Sequence, residues 1–189
     1  MSSPIEFDKP KTALVLIDLQ HQIIGRPLEP HTGTEVVSNS ANLADAVRKA
    51  GGTVVYVRVL LTDMIALKSD MQRPAATDLP ANACDIVHEA GKTDGDILIT
   101  KRQWGAFYAT ELDQKLRRKG INTIILGGIA TNFGVESTAR AAMDRGYNLV
   151  FASDAMASMN AEMHNFSVEK VFPIMGRVRT TEQLIESLS

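Results

Sequence analysis

Residues 122–146 read NTIILGGIATNFGVESTARAAMDRG, and this stretch decides the fold. Asn122 to Leu126 (NTIIL) is a short run rich in β-branched side chains, which reads as a strand. Gly127-Gly128 close it, and Gly134 falls where a helix should begin. Val135 to Arg145 then has the spacing of a helix built from small residues, and Gly146 stops it as a glycine just past a helix does. Strand, glycine turn and helix in so few residues are the unit of an α/β fold.

The same alternation extends outward in both directions. Upstream, Thr12 to Ile17 (TALVLI) and Thr53 to Val59 (TVVYVRV) read as strands around a helix at Glu35 to Ala50 that Gly51-Gly52 ends. Asp96 to Thr100 (DILIT) is a third strand, and Tyr108 to Lys119 a helix ended by Gly120. Downstream, Asn148 to Ala152 and Met175 to Arg179 are strands, with helices at Asn160 to Val171 and Thr181 to Leu188. Continuously apolar strands are buried on both faces, the signature of a parallel sheet. The reading is a single domain over residues 1–189, three-layer α/β/α, with a six-stranded parallel sheet. Leu60 to Pro80 is the irregular segment: it holds Pro74 and Pro80 and has no clean period. A loop of that length is either functional or mobile, or a plain solvent-exposed connection.

Composition excludes several classes. Hydrophobic residues are 44% and charged residues 22% of the 189, which suits a globular core and not disorder. Net charge is -2 without a Lys/Arg run, so no nucleic-acid partner is expected. The longest apolar runs are strand-sized, so no membrane span is expected. The stretch MSSPIEFDKPK lacks the basic and apolar regions of a secretory signal. The lone Cys84 cannot pair internally, which fits a reducing, cytoplasmic setting.

In open α/β sheets, ligands bind beyond the carboxyl ends of the strands. The first strand is followed by Asp18 and Gln20 (IDLQ), the third by Lys101, Arg102 and Trp104 (TKRQWGAF), the fourth by GGIATNFGVESTAR. An acid, an ammonium group and a glycine-rich turn thus converge from three strands. Asp18 is either a turn cap or a partly buried carboxylate, its proton affinity raised by burial and lowered by a nearby Lys101. Lys101 could equally be a solvated lysine beside Arg102. Trp104 and Phe107 could wall a pocket or pack a helix start. Gly134 offers either free N–H groups for an anion or oxyanion, or tight helix–strand packing.

Three motifs, ALVLIDLQ, TKRQWGAFYATEL and LGGIATNFGVESTARAAMDRGY followed by VFASDAMAS, resemble those of the isochorismatase-like hydrolases. That cysteine-hydrolase superfamily includes nicotinamidases and N-carbamoylsarcosine amidase. The resemblance runs from about Lys11 to Leu188 and implies a Rossmann-like parallel sheet. It assigns the family's aspartate to Asp18 and its lysine to Lys101, as the catalytic pair. The nucleophilic cysteine position is Gly134, so the thioester route of the amidases is lost. Cys84 lies outside all three motifs, and Ser137, one helical turn beyond Gly134, lacks an obvious base. The resemblance also implies a cis peptide bond at Ile129–Ala130. Nicotinamidases carry an Asp-x-His…His metal site after the second strand. Here that region reads RVLLTDMIALKSDMQRP, without histidine, so no metal and no cofactor are expected.

Isochorismatases also have glycine at this position and work through an aspartic acid and water. They carry a tyrosine four residues earlier, where this chain has Ala130. The expectation is a non-covalent hydrolase of a small, anionic substrate. Gln20, Trp104, Phe107, Ile129, Ala130, Asn132, Phe133 and Gly134 would contact the substrate, and a vinyl ether of the isochorismate type would be cleaved. The alternative is a catalytically silent small-molecule-binding protein that kept the pocket. A homo-oligomer, dimer or tetramer, is expected, and another subunit could assist the site. His164 is expected to hydrogen-bond its helix to a neighbouring loop. His21 could line the pocket mouth, and the methionines from Met143 to Met175 pack helices or an interface.

Overall fold

The computed structural model describes residues 5–65, 67–71 and 78–189. Pro74 of the irregular segment lies outside the described residues. The strands are β1 (Thr12–Ile17), β2 (Thr53–Val59), β3 (Ile97–Lys101), β4 (Thr123–Ile129), β5 (Asn148–Ala157) and β6 (Gly176–Arg179). They form one six-stranded sheet in the order β3-β2-β1-β4-β5-β6, with every pairing parallel. From β1 the chain builds outward through β2 to β3, then returns to the other side of β1 as β4. The order therefore reverses between β1 and β4, and the carboxyl edge at such a reversal is where open α/β sheets bind ligands.

The helices are α1 (His21–Ile24), α2 (Gly33–Lys49), α3 (Leu112–Arg118), α4 (Glu136–Asp144), α5 (Ala161–Phe166), α6 (Phe172–Met175) and α7 (Thr181–Leu188). All six residues of β1 are buried, and successive side chains serve opposite layers. Leu14 and Leu16 meet Val36, Leu43 and Val47 of α2 and Leu184 and Leu188 of α7. Ala13, Val15 and Ile17 meet Leu112 and Leu116 of α3, Ala139 and Ala142 of α4, and Phe172 of α6. This produces two cores around one sheet, the three-layer arrangement expected from the apolar runs.

Boundaries differ for local reasons. Helix α2 starts at Gly33 because Thr32 caps it: the Thr32 hydroxyl accepts the Glu35 N–H, and the Glu35 carboxylate accepts the Thr32 N–H at 2.7 Å. The expected helix at Tyr108 begins only at Leu112, since Ala109 takes a left-handed φ of 51° that interrupts helical geometry. Strand β4 runs on through both glycines. A side chain on Gly128, whose φ is 112°, would come within 2.1 Å of the Ile17 carbonyl, so only glycine lets β4 lie against β1 here. The segment Asn160 to Val171 is α5 followed by a π-helical turn at Ser167–Val171. No helix among the described residues is long and apolar enough to cross a membrane.

Candidate active site

Asp18 is the first residue beyond β1, and its backbone is left-handed, with φ of 54°. Its N–H donates to the Val57 carbonyl at 2.9 Å and its own carbonyl accepts the Gln20 N–H at 2.9 Å, so the turn is held from both sides. Lys101, the last residue of β3, reaches past β2 and places Nζ 2.7 Å from Asp18 Oδ2. The ammonium also donates to the Trp104 carbonyl at 2.8 Å. Both charged residues are nearly out of solvent, at 5% exposure for Asp18 and 2% for Lys101.

The second carboxyl oxygen, Asp18 Oδ1, is buried with no hydrogen-bond partner among the described residues. Burial lifts the Asp18 carboxyl from 3.8 to about 6, against the opposing pull of the Lys101 charge and its hydrogen bond. A carboxyl group raised in this way is suited to proton exchange close to neutral pH, and Oδ1 is the oxygen left open to carry a proton.

Gly134 faces this pair. A Cβ built on it would lie 3.3 Å from Lys101 Nζ, 3.5 Å from Asp18 Oδ2 and 3.0 Å from Ile17 Cγ2. A side chain at this position would therefore project onto the two charged groups. One expectation is corrected: Gly134 does not open the helix. It sits inside a π-helical turn, Thr131–Val135, that precedes α4, because the Ala130 carbonyl draws in both the Phe133 and the Val135 N–H, at 3.1 and 3.2 Å. The N–H groups of Thr131 and Asn132 donate to no acceptor among the described residues. The peptide bond Ile129–Ala130 is cis, where the motif match placed it.

The other named residues divide into two sets. Trp104 and Phe133 pack at 4.9 Å between ring centroids, on the two segments that carry the Lys101-binding carbonyl and Gly134, with Trp104 40% exposed. Ala130 and Ile129 are buried, and the Asn132 side-chain oxygen accepts the Ser158 hydroxyl. Gln20 and Phe107 serve elsewhere. Both N–H groups of the Gln20 amide are taken, by the carbonyls of Val59 and Cys84 at 2.9 Å each, and its oxygen accepts the Val59 N–H at 2.8 Å. Gln20 thus braces the ends of β1 and β2. Phe107 is 5% exposed, with Tyr147 5.9 Å away and the Arg145 guanidinium 4.9 Å over its ring, so it packs the far end of α4. Cys84 enters through its main-chain carbonyl, and Ser137 lies against Gly105.

Sequence reading did not single out the hydroxyls that hold the turn. Thr131 Oγ1 lies 2.9 Å from His164 Nδ1, which gives His164 the expected role of tying its helix to a loop. Thr138 Oγ1 donates to the Gly134 carbonyl at 2.7 Å and accepts the Ala106 N–H at 3.0 Å. Ser167 donates to Glu136 at 2.8 Å. A hydroxyl in a helix carries no local signal of which distant group it meets. Among the described residues, no group of three or more His, Cys, Asp or Glu is arranged to hold a metal ion.

Fold and site together define a parallel-sheet α/β scaffold of the hydrolase type, with a buried Asp–Lys pair at its switch point. The family profile described as the isochorismatase domain matches residues 12–183, and the chain belongs to the isochorismatase family. It is 46% identical to the uncharacterized isochorismatase family protein YecD of Escherichia coli O157:H7, over 97% of this chain and all of that one. It is 44% identical to the uncharacterized isochorismatase family protein YwoC of Bacillus subtilis strain 168, over the full length of both. A solved isochorismatase family protein from Burkholderia thailandensis superposes with a TM-score of 0.93 at 37% identity, covering 98% of this chain and 99% of that one.

Proposed function

We propose that this protein hydrolyses a small anionic enol ether of the isochorismate type, by proton transfer from Asp18 and without a covalent intermediate. The observation that supports it is the Asp18 carboxyl itself: Oδ2 is held on Lys101 at 2.7 Å, Oδ1 is buried and unpartnered, and Gly134 supplies no nucleophile beside them. In this reading protonated Asp18 gives its proton to the terminal methylene carbon of the enol ether, leaving an oxocarbenium carbon. Water adds to that carbon and returns a proton to the Asp18 carboxylate. The hemiketal then breaks its C–O bond, releasing an alcohol and a keto acid. Lys101 keeps the carboxyl oriented and stabilises its ionised form after the transfer. Trp104, Phe133, Ala130 and Asn132 border the substrate, and the free N–H groups of the turn bind its anionic end. General acid catalysis supplies roughly 10²–10⁴-fold, which suits an enol ether better than an unactivated amide.

The test is steady-state turnover of isochorismate beside a series of simple amides and N-carbamoyl compounds. The expected result is turnover of the enol ether only, abolished in Asp18→Asn and unchanged in Cys84→Ala. As the acid is the active form, kcat/KM should fall as pH rises through about 6. A profile that rises through that point makes Asp18 a base. Loss of activity in Cys84→Ala overturns the site. Thermal stabilisation by isochorismate without turnover supports the silent binding protein instead.

A further inference from the structure

The two limbs that carry the site come from different strands. Lys101 ends β3 and Trp104 lies on the segment that follows it, and Gly134 lies on the turn after β4. Thr138, on the first turn of α4 and fully buried, joins them. Its hydroxyl proton goes to the Gly134 carbonyl at 2.7 Å, and its oxygen accepts the N–H of Ala106, also fully buried, at 3.0 Å. The first bond is an ordinary helical back-bond to the residue four earlier. The second is not: it crosses 32 residues of sequence and ends two residues from Trp104, whose carbonyl holds the Lys101 ammonium.

A ring of contacts results. It runs from Asp18 to Lys101, to the Trp104 carbonyl, through Gly105 to the Ala106 N–H, to Thr138 and back to Gly134, whose open face meets Asp18 and Lys101. At Gly105 the limb passes so close that an added Cβ would sit 3.8 Å from Ser137 of α4. We infer that Thr138 is a positioning residue that sets how near the Lys101 ammonium stands to Asp18 across from Gly134. The inference rests on the proposed role of Asp18 for its catalytic consequence, but its geometric part stands apart from any substrate.

The discriminating variants are Thr138→Val, which keeps shape and removes the hydroxyl, and Thr138→Ser, which keeps the hydroxyl. Freed from Thr138, Ala106 should move to satisfy its N–H and take Trp104 and the ammonium with it. An ammonium withdrawn by about 0.8 Å raises the Asp18 midpoint by about one pH unit at an effective dielectric of ~20. The readout is the Asp18 side-chain carboxyl titration, followed by carbon NMR on aspartate-labelled protein between pH 4 and 8. Alongside it, kcat and KM on isochorismate are measured separately, with kcat expected to fall by about 10²-fold and KM to change little.

Thr138→Ser should restore the wild-type midpoint and kcat. Thr138→Ala removes the same hydroxyl and serves as the second variant if the valine protein does not fold. A lowered melting temperature with an unmoved Asp18 midpoint makes Thr138 a structural residue only and overturns the inference. A shifted midpoint in a protein that never turns over an enol ether sustains the positioning role and sinks the proposed reaction.

Discussion

Replacing Asp18 by asparagine should change the pH dependence of stability in a defined direction. Burial raises the Asp18 carboxyl from 3.8 to about 6, so the folded chain holds this proton more tightly than the unfolded chain does. The resulting stabilisation is fully present below about 3.8 and is lost as pH rises through about 6. A gap of about two units at 1.36 kcal/mol per unit makes this roughly 3 kcal/mol. His164 works in the opposite sense. It is 3% exposed, and burial, followed by the charge of His31, lowers its imidazole from 6.5 to about 4. Its contribution is present above about 6.5 and is lost as pH falls through about 4, again roughly 3 kcal/mol.

The two windows overlap with opposite signs, so the wild-type stability curve should be comparatively flat between pH 4 and 6.5 as far as these two groups set it. Asp18→Asn removes one side of the balance, and its stability should drop as pH falls across that window. His164→Gln removes the other, and its stability should rise. For a chain of this size about 3 kcal/mol corresponds to roughly 6–12 °C in melting temperature. The assay is urea or thermal unfolding at half-unit steps from pH 3.5 to 7.5, comparing slopes and not absolute values. Slopes are the right quantity because Asp18→Asn also leaves the Lys101 ammonium buried without its anion, an offset that burdens the whole range. An asparagine variant whose curve runs parallel to the wild type would refute the raised carboxyl and remove the basis for acid catalysis near neutral pH.

Two glycine substitutions test the geometry from either side. Gly134→Ala puts a methyl 3.0 Å from Ile17 Cγ2 and 3.3 Å from Lys101 Nζ, on the face the substrate is proposed to use. Overpacking of ~1–3 kcal/mol is partly offset by the ~1 kcal/mol helical advantage of alanine, so the fold should survive while kcat/KM falls by about 10²-fold. Full activity in that variant would show that the space is not used. Gly128→Ala should cost more than ~3 kcal/mol in urea unfolding, because its Cβ would meet the Ile17 carbonyl at 2.1 Å and its φ is 112°. A loss under ~1 kcal/mol would mean that the β1–β4 approach is looser than described.

Local pattern carried the strands, the motif resemblance assigned the charged pair, and local pattern failed where a residue's neighbour is distant. β1 and β4 are buried on both faces, so their apolar runs announce a central parallel strand. The same run would look alike at any interior place in the sheet, so the strand order, and with it the reversal between β1 and β4, is a tertiary fact. Phe107 and Trp104 are three residues apart and equally aromatic. One turns to Tyr147 in the core and the other stands beside Phe133 at the site, a difference set by the irregular backbone from Gly105 to Thr110. Gln20 follows Asp18 closely enough to suggest a shared role, yet the N–H and carbonyl of Val59 and the carbonyl of Cys84 claim its amide first.

The glycine at position 134 and the raised acidity of Asp18 bear on each other. A thiol beside a carboxylate–ammonium pair calls for a base, since thiolate is the attacking form. With glycine there, no group beside the pair needs deprotonating, and a carboxyl that keeps its proton up to about 6 is suited to giving it away. The burial that penalises the Asp18 carboxylate is the same burial that leaves Oδ1 without a partner, so cost to the fold and acidity have one source. Lys101 limits that cost. Without its ammonium at 2.7 Å the carboxyl would hold its proton to a higher pH and, having lost it to the proposed substrate, would have nothing to stabilise the anion left behind. In the proposed reaction, proton donation near neutral pH therefore needs both the burial and the short lysine contact, and a change that relaxes either should move the descending, alkaline limb of the pH profile before it moves the fold.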